Sequence, residues 1–272
     1  MSIPESGSGV PGLFEGVAAY YARYRPKYPV AMFDHLVDRF NLGTLSSVLD
    51  LGCGTGQLAL PLSERQIPVY AVDPEIEMLQ EGIRIARDSG IPGTRWMLGS
   101  DRTIDSLNLP LLRVCVMGSS FHWTNRDLLL NALEPLIDDE GGIVVISERS
   151  SAWGTEEREP WQDVIKQVIQ EFLGPERRAA EGTYSHPIDN HQVVLRRSSF
   201  RVVEELEFPA RQTRTIEQVI GLQLSTSYAS IRRLGSRVEE FKQTLTERLR
   251  EAVPSEVFEK VSNIEVLIAT RT

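Results

Sequence analysis

Between Val48 and Gln57, in "VLDLGCGTGQ", an apolar run meets Asp50, and Gly52, Gly54 and Gly56 then follow at every second position. Glycine at that density serves a backbone that must turn sharply or be approached closely. Such a turn, leading from a strand into a helix, most often holds a ligand at the helix N-terminus. A phosphate-gripping loop requires Gly-Lys-Ser/Thr at the helix start, but Gly56 is followed by Gln57 and Leu58, so no cation stands ready for phosphate. A dinucleotide fingerprint requires glycines at the first, third and sixth steps; Gly52 and Gly54 fit, and Gln57 breaks the match. Asp50 would repel a pyrophosphate and attract a cation. The spacing Asp50-x-Gly52-x-Gly54-x-Gly56, with Asp73 about twenty residues onward, therefore suits a cationic ligand without phosphate.

These residues need elements to position them. Met32, Phe33, Leu36, Val37 and Phe40 recur at helical spacing within 28–41. A strand is expected over 47–51, a helix from Gly56, and a short buried strand over 68–73 ending on Asp73. Residues 75–90 read as a helix closing on Gly90. Strands are expected at 94–100, 113–119 and 141–148, with a helix beginning at Asn125 between the last two. Strands that are apolar throughout and alternate with helices indicate a parallel sheet covered on both faces, a doubly wound α/β domain. Its strand C-termini, and any ligand, lie along one edge. After 150 the pattern changes. Trp161, Val164, Ile165, Val168, Ile169, Phe172 and Leu173 form one helical stripe, and the polar run after it reads as a loop. Strands are expected at 200–208 and 264–270, giving seven in all, with 215–252 largely helical between them.

Composition sets the outer bounds. The chain has 272 residues, 41% of them hydrophobic and 25% charged, which suits a globular domain. Two cysteines, Cys53 and Cys115, provide neither a disulfide framework nor a metal-ligand spacing, and no metal is expected. The opening "MSIPESGSGVPG" lacks a basic start before an apolar core, and no apolar run approaches membrane length, so a cytoplasmic protein without membrane partners is expected. The net charge of −9 disfavours nucleic acid, whose binders need a basic patch. The nearest basic features are "ARYRPK" at 22–27 and the pairs Arg196–Arg197 and Arg232–Arg233.

S-adenosyl-L-methionine has the required character: a sulfonium, an ammonium and no phosphate. "VLDLGCGTGQLALPL" followed by "VYAVDPEIEML" resembles motif I and the acidic second motif of the class I, Rossmann-like S-adenosylmethionine-dependent methyltransferases. "YYARYRPKYP" at 20–29 and "GSSFHWTNRD" at 118–127 are similar to segments of the small-molecule, trans-aconitate-methyltransferase-like branch. The resemblance covers about residues 15–150. It implies a mostly parallel seven-stranded sheet whose last strand is antiparallel, with helical lid elements. It also implies S-adenosyl-L-homocysteine as product and Asp73 as the acid holding the ribose hydroxyls. Cofactor contacts are expected from Tyr20, Arg25, Asp50, Gly52, Cys53, Gly54, Asp73, Pro74, Met78, Gly118, Ser119 and Phe121. Ser100, Asp101 and Arg102 would border the adenine, although "GSDR" departs from the Asp-Ala-Glu of many members. Arg25 suits the methionyl carboxylate, because a guanidinium binds a carboxylate in bidentate fashion.

Methyl transfer is a direct displacement, so alignment and exclusion of water do most of the work. A hydroxyl or amine acceptor must also lose a proton, and His122, following the fourth strand, is the candidate base. A packing role beside neighbouring aromatics is its alternative. Trp123, Glu148, Tyr184 and His186 are the candidate acceptor contacts. Residues 1–14 are expected to be a flexible tail and 15–272 a single domain. Its cofactor core spans about 44–149, with lid and acceptor elements at 15–40, 150–200 and 210–255. The expected activity is transfer of a methyl group to O, N or C of a small organic molecule, with specialised metabolism as its setting. A macromolecular substrate, a nicotinamide-dependent oxidoreductase and a non-catalytic cofactor-binding protein are the competing readings.

Overall fold

The computed structural model describes residues 16–148, 159–175, 178–179, 182–183 and 189–272. Five strands, β1 (Val48–Leu51), β2 (Val69–Asp73), β3 (Thr94–Leu98), β4 (Leu112–Gly118) and β5 (Ile137–Glu148), run parallel. Two-residue strands β6 (Arg178–Ala179) and β7 (Gly182–Thr183) pair only with each other. The main sheet is completed by β8 (Val202–Arg214) and β9 (Phe258–Thr270), in the order β3-β2-β1-β4-β5-β9-β8. β9 is antiparallel to both β5 and β8, so six strands share one direction and the last opposes them, as expected. The order reverses between β1 and β4, which places the ligand crevice at the C-terminal ends of those two strands.

The helices are α1 (Ala18–Tyr24), α2 (Val30–Phe40), α3 (Ala59–Glu64), α4 (Ile76–Asp88), α5 (Arg126–Leu133), α6 (Pro160–Leu173), α7 (His191–Arg196), α8 (Ile216–Leu224), α9 (Ile231–Leu234) and α10 (Val238–Ala252). Local sequence sets several of their ends. α2 buries Met32, Phe33, Leu36 and Phe40 and stops at Asn41, whose left-handed backbone caps it. α6 begins at Pro160 behind a capping box of Glu159 and Gln162, and α8 behind one of Thr215 and Gln218.

Two apolar layers sandwich the sheet. One gathers Val48, Val69, Val114, Val144 and Val266 with α2 and α3; the other gathers Leu49, Cys115, Ile143 and Leu267 with α5 and α7. A third core stands apart: Trp161, Ile165, Val168, Ile169 and Phe172 of α6 pack with Val219, Phe241, Leu245, Leu249 and Phe258. This third core is a helical cap above the strand C-termini, and α1 joins it through contacts with α8.

One expectation needs correction. The last two strands are not the short apolar segments 200–208 and 264–270. Each is thirteen residues long, and β8 pairs with β9 from Val202↔Thr270 to Arg214↔Phe258. Their polar halves continue beyond Glu148, the last residue of β5, and rise into the cap. The expected tail at 1–14 lies outside the described residues.

Candidate active site

At the end of β1 the backbone turns through Gly52, Gly54 and Gly56, all with positive φ. A side chain at Gly52 would place its Cβ 2.5 Å from Cβ of Ser120, and one at Gly54 would meet the Tyr21 ring at 3.2 Å. The close approach is thus partly to the protein's own side chains. Ser120 sits against the turn and donates to the Leu51 carbonyl at 2.6 Å, tying the end of β4 to that of β1.

Asp73 braces the turn from the next strand. One carboxylate oxygen accepts from the Gly54 N–H at 2.8 Å and the other from the Glu75 N–H at 2.9 Å, just before α4. Burial raises its pKa to about 6, against the lowering effect of those two N–H groups. Asp50 is more deeply enclosed. Its Oδ2 accepts from the Ala59 N–H, the first residue of α3, at 3.0 Å, while Oδ1 is buried without a partner. Burial pushes its pKa to about 8.

Two adjoining cavities open at this edge. The first, about 730 Å³, is lined by Leu51, Gly52, Gly54, Asp73, Pro74, Glu75, Met78, Ser100, Asp101, Trp123 and Thr124, among others. The second, about 590 Å³, is lined by Arg25, Lys27, Tyr28, Asp50, Cys53, Gln57, Leu58, Glu148 and Ile264, among others. Tyr21, Gly52, Gly118 and Ser119 belong to both walls, so the two meet above the glycine turn.

The donors and acceptors present fit S-adenosylmethionine. Asp101 accepts from the Asn125 N–H through Oδ2, and its Oδ1 is buried with no partner, an acceptor suited to an amino donor. At the other end Asp50 Oδ1 is a buried acceptor suited to a cationic donor. Arg25 lies 4.8 Å over the Tyr21 ring and donates to the Ser225 carbonyl at 3.3 Å; its Nε is buried and unpartnered. A buried polar atom left unmatched is costly, so these three mark where a polar ligand belongs.

Residues 48–138 match the family model described as a methyltransferase domain. Within those residues the chain carries a methyltransferase domain. An uncharacterized methyltransferase of Mycobacterium tuberculosis is 29% identical over 157 residues, 57% of this chain and 58% of that protein. The matches cover 43% and 58% of the length of the first two curated relatives. A structure from Anaeromyxobacter dehalogenans described as a type II methyltransferase superposes with a TM-score of 0.60 at 19% identity, covering 91% of this chain and 98% of that one. A methyltransferase from Thiobacillus denitrificans, crystallised with S-adenosyl-L-homocysteine, gives 0.51 at 12% identity over 96% and 98%. At such identities these two structures speak for the fold.

The cofactor of such a domain is S-adenosyl-L-methionine. Of the residues expected to touch it, Asp73, Pro74, Met78, Ser100, Asp101, Gly52, Gly54, Gly118 and Ser119 line the first cavity, and Arg25, Asp50 and Cys53 line the second. Tyr20, Arg102 and Phe121 line neither. Tyr20 packs against the cap core, Arg102 is exposed, and Phe121 is buried in the sheet layer. Trp123, expected at the acceptor, shares the first cavity with Met78 and Asp101. His122 lines neither cavity. Its ring lies 4.7 Å from Trp123 and 6.5 Å from His191, a packing position. His191 itself is pulled down to about 4 by burial and by Arg126, so it stays neutral. Glu148 lines the second cavity, while Tyr184 and His186 lie outside the described residues. Sequence reasoning missed Tyr21, Tyr28, Glu75, Ser120 and Thr124. For Tyr21 the signal was its place in "YYARYRP": α1 turns about 100° per residue, so Tyr20 meets the cap while Tyr21 meets the glycine turn.

Among the described residues no helix is long and apolar enough to cross a membrane, and no cluster of His, Cys, Asp or Glu is arranged to hold a metal ion.

Proposed function

We propose that this chain transfers a methyl group from S-adenosylmethionine to a small organic acceptor, as in the small-molecule branch that its "YARYRP" and "FHW" segments resemble. The supporting observation is the second cavity. It adjoins the glycine turn, and the cap of α6, α8 and α10 stands over that edge of the sheet. Its lining sets a few charged groups, Arg25, Asp50 and Glu148, among Tyr21, Tyr28 and Leu58, the mixed character of small-molecule sites. The net charge of −9 also disfavours a polyanionic substrate.

When bound, S-adenosylmethionine supplies an electrophilic methyl carbon. In this reading Asp73 accepts from the ribose hydroxyls, Asp101 from the adenine amino group, and Arg25 binds the methionyl carboxylate. Asp50 offsets the positive charge; a cation beside it draws its raised pKa back down and keeps it ionised. The cap excludes water and orients the acceptor, which is where most of the acceleration of a direct displacement arises. The test is transfer of a radiolabelled methyl group from cofactor to a mixed cell extract. Label is expected among low-mass compounds that pass an ultrafiltration membrane. Label confined to acid-precipitable protein or nucleic acid would overturn the proposal.

A further inference from the structure

On one face of the sheet Asp50, Gly118 and Glu148 follow one another across β1, β4 and β5. The register pairs Asp50 with Val116 and Val116 with Val144. Side chains two apart share a strand face, so Gly118 and Glu148 lie two and four residues further along the face of Asp50. All three line the second cavity. A Cβ at Gly118 would lie 2.7 Å from the Tyr28 hydroxyl, so the phenol tip rests directly on the end of β4. Glu148 extends two residues beyond the last pair of that ladder, Gly118↔Ile146.

The Glu148 carboxylate is held from one side. Its Oε1 accepts from Lys260 Nζ at 2.7 Å and from the Ser262 hydroxyl at 2.8 Å, both on β9. Among the described residues Oε2 has no hydrogen-bond partner, and 25% of the side chain stays exposed. Two donors on one oxygen fix the carboxylate and leave the other oxygen for the cavity. The remaining titratable groups there have other chemistry. Arg25 and Lys27 are donors only. Tyr21, Tyr28 and Cys53 are all raised, first by burial, so they keep their protons. Asp50 is only 1% exposed and faces the cofactor's cation. Asp73, Glu75 and Asp101 line the first cavity, and His122 lines neither.

We propose that Glu148, through Oε2, is the general base of the reaction and that the acceptor is an uncharged hydroxyl compound of the phenol type. The inference rests on the small-molecule reading and names the acceptor's class. Glu148 accepts a hydrogen bond from the acceptor O–H and takes the proton as the O–CH3 bond forms and the S–CH3 bond breaks. The electron pair of the broken bond stays on sulfur, and Glu148 then releases the proton to solvent. Charge matching favours a neutral acceptor. Lys260 neutralises Glu148, Arg25 and Asp50 meet the cofactor's own charges, and Lys27 is exposed. An amine would arrive as an ammonium with no unmatched anion to meet, and a carboxylic acid, already ionised, needs no base. Tyr21, Tyr28, Leu58 and Ile264 on the same wall suit a flat apolar body.

Two readouts on the full chain test this. With S-adenosyl-L-homocysteine bound, ligand-observed NMR should show alkylphenols binding several-fold more tightly than their methyl ethers. Glu148→Leu should remove that preference and Glu148→Gln should keep it. With S-adenosylmethionine, methyl transfer is followed to phenols of graded acidity. On alkylphenols Glu148→Gln should lower kcat about a hundredfold or more, with KM within about twofold. On nitrophenols, which arrive ionised, the same variant should regain most of its rate. Ser262→Ala, which removes one donor from Oε1, should slow alkylphenols several-fold. S-adenosyl-L-homocysteine affinity, unchanged in each variant, reports an intact fold. The inference is overturned if Glu148→Gln slows alkylphenols and nitrophenols equally, as a structural role would, or slows neither. Ethers binding as well as phenols, or no phenol taking the label, would also overturn it. Label reaching only small acids or amines would sink this inference alone, whereas label found only in macromolecules would sink the broader reading.

Discussion

The glycine-turn half of the molecule and its cap both bury polar groups, but by different means. Around the turn the buried groups are few and acidic, and backbone N–H groups hold them: Asp50 by Ala59, Asp73 by Gly54 and Glu75. In the cap Gln223, Ser225, Thr226, Ser227 and Ser230 are buried, and Ser225 and Thr226 hydroxyls donate to the Leu222 and Gln223 carbonyls. Carboxylates fixed by main chain make a rigid site that many sequences can reproduce. Side-chain amides and hydroxyls on a strand and a helix end make a site particular to this chain. The contrast separates the part of the chain that matches a methyltransferase domain from the cap outside it.

Substitutions should break along that division. Gly52→Val is expected to do the most damage. It combines a positive φ with a Cβ 2.5 Å from Ser120, so a loss of about 2–4 kcal/mol is expected in chemical denaturation. A stable variant would mean that the turn is far more pliable than its packing implies. Asp73→Ala should weaken S-adenosyl-L-homocysteine binding by about 1.5–3 kcal/mol in calorimetry; unchanged affinity would remove Asp73 from the site.

The buried acids also predict a pH dependence. Asp50 and Asp73, raised to about 8 and about 6, hold protons in the folded protein that the unfolded chain releases from about pH 4 upward. Stability of the cofactor-free protein should therefore fall as pH rises between about 4 and 8, by up to about 1.4 kcal/mol per pH unit for each proton held. Melting curves across that range should show the slope, and Asp50→Asn should flatten it above about pH 6. In the cap, Ser225→Ala removes one hydroxyl donor and should cost only about 0.5–1.5 kcal/mol of stability, with cofactor affinity unchanged. A matching loss of cofactor affinity would erase the distinction between the halves. His122→Ala should have the smallest effect, less than about threefold on the maximal rate, because a lost general base would cost a hundredfold or more.

The same division governs what the sequence made legible. Strands β1, β2, β4 and β5 were readable because runs such as Val48–Leu51 and Ile143–Ile146 are buried on both faces and stay apolar. Asp50 and Asp73 were readable because an acid in such a run needs a reason. The cap hairpin was not. "PARQTR" and "FEKVSN" combine Pro209 with charges on both faces, so neither apolar alternation nor an apolar run marked them as strands. Their pairing depends on each other and on the cap, contacts that local pattern does not carry. Tyr20 and Tyr21 were separable only by helical phase. His122 stood out for its chemistry, but its rotation within a short turn beside Trp123 and His191 was decided by packing.

Strands β8 and β9 each serve two masters along one ladder. In the sheet their rungs place Val266 and Ile268 in the apolar core; in the cap the same rungs turn Gln212, Lys260 and Arg214 inward. A slip of one residue would flip every side chain on the slipped strand. It would exchange Val266 and Ile268 with Leu267 and Ala269 between the two apolar layers at one end and turn Lys260 outward at the other. The register chosen in the hydrophobic layer thus decides which way the polar half of the hairpin faces.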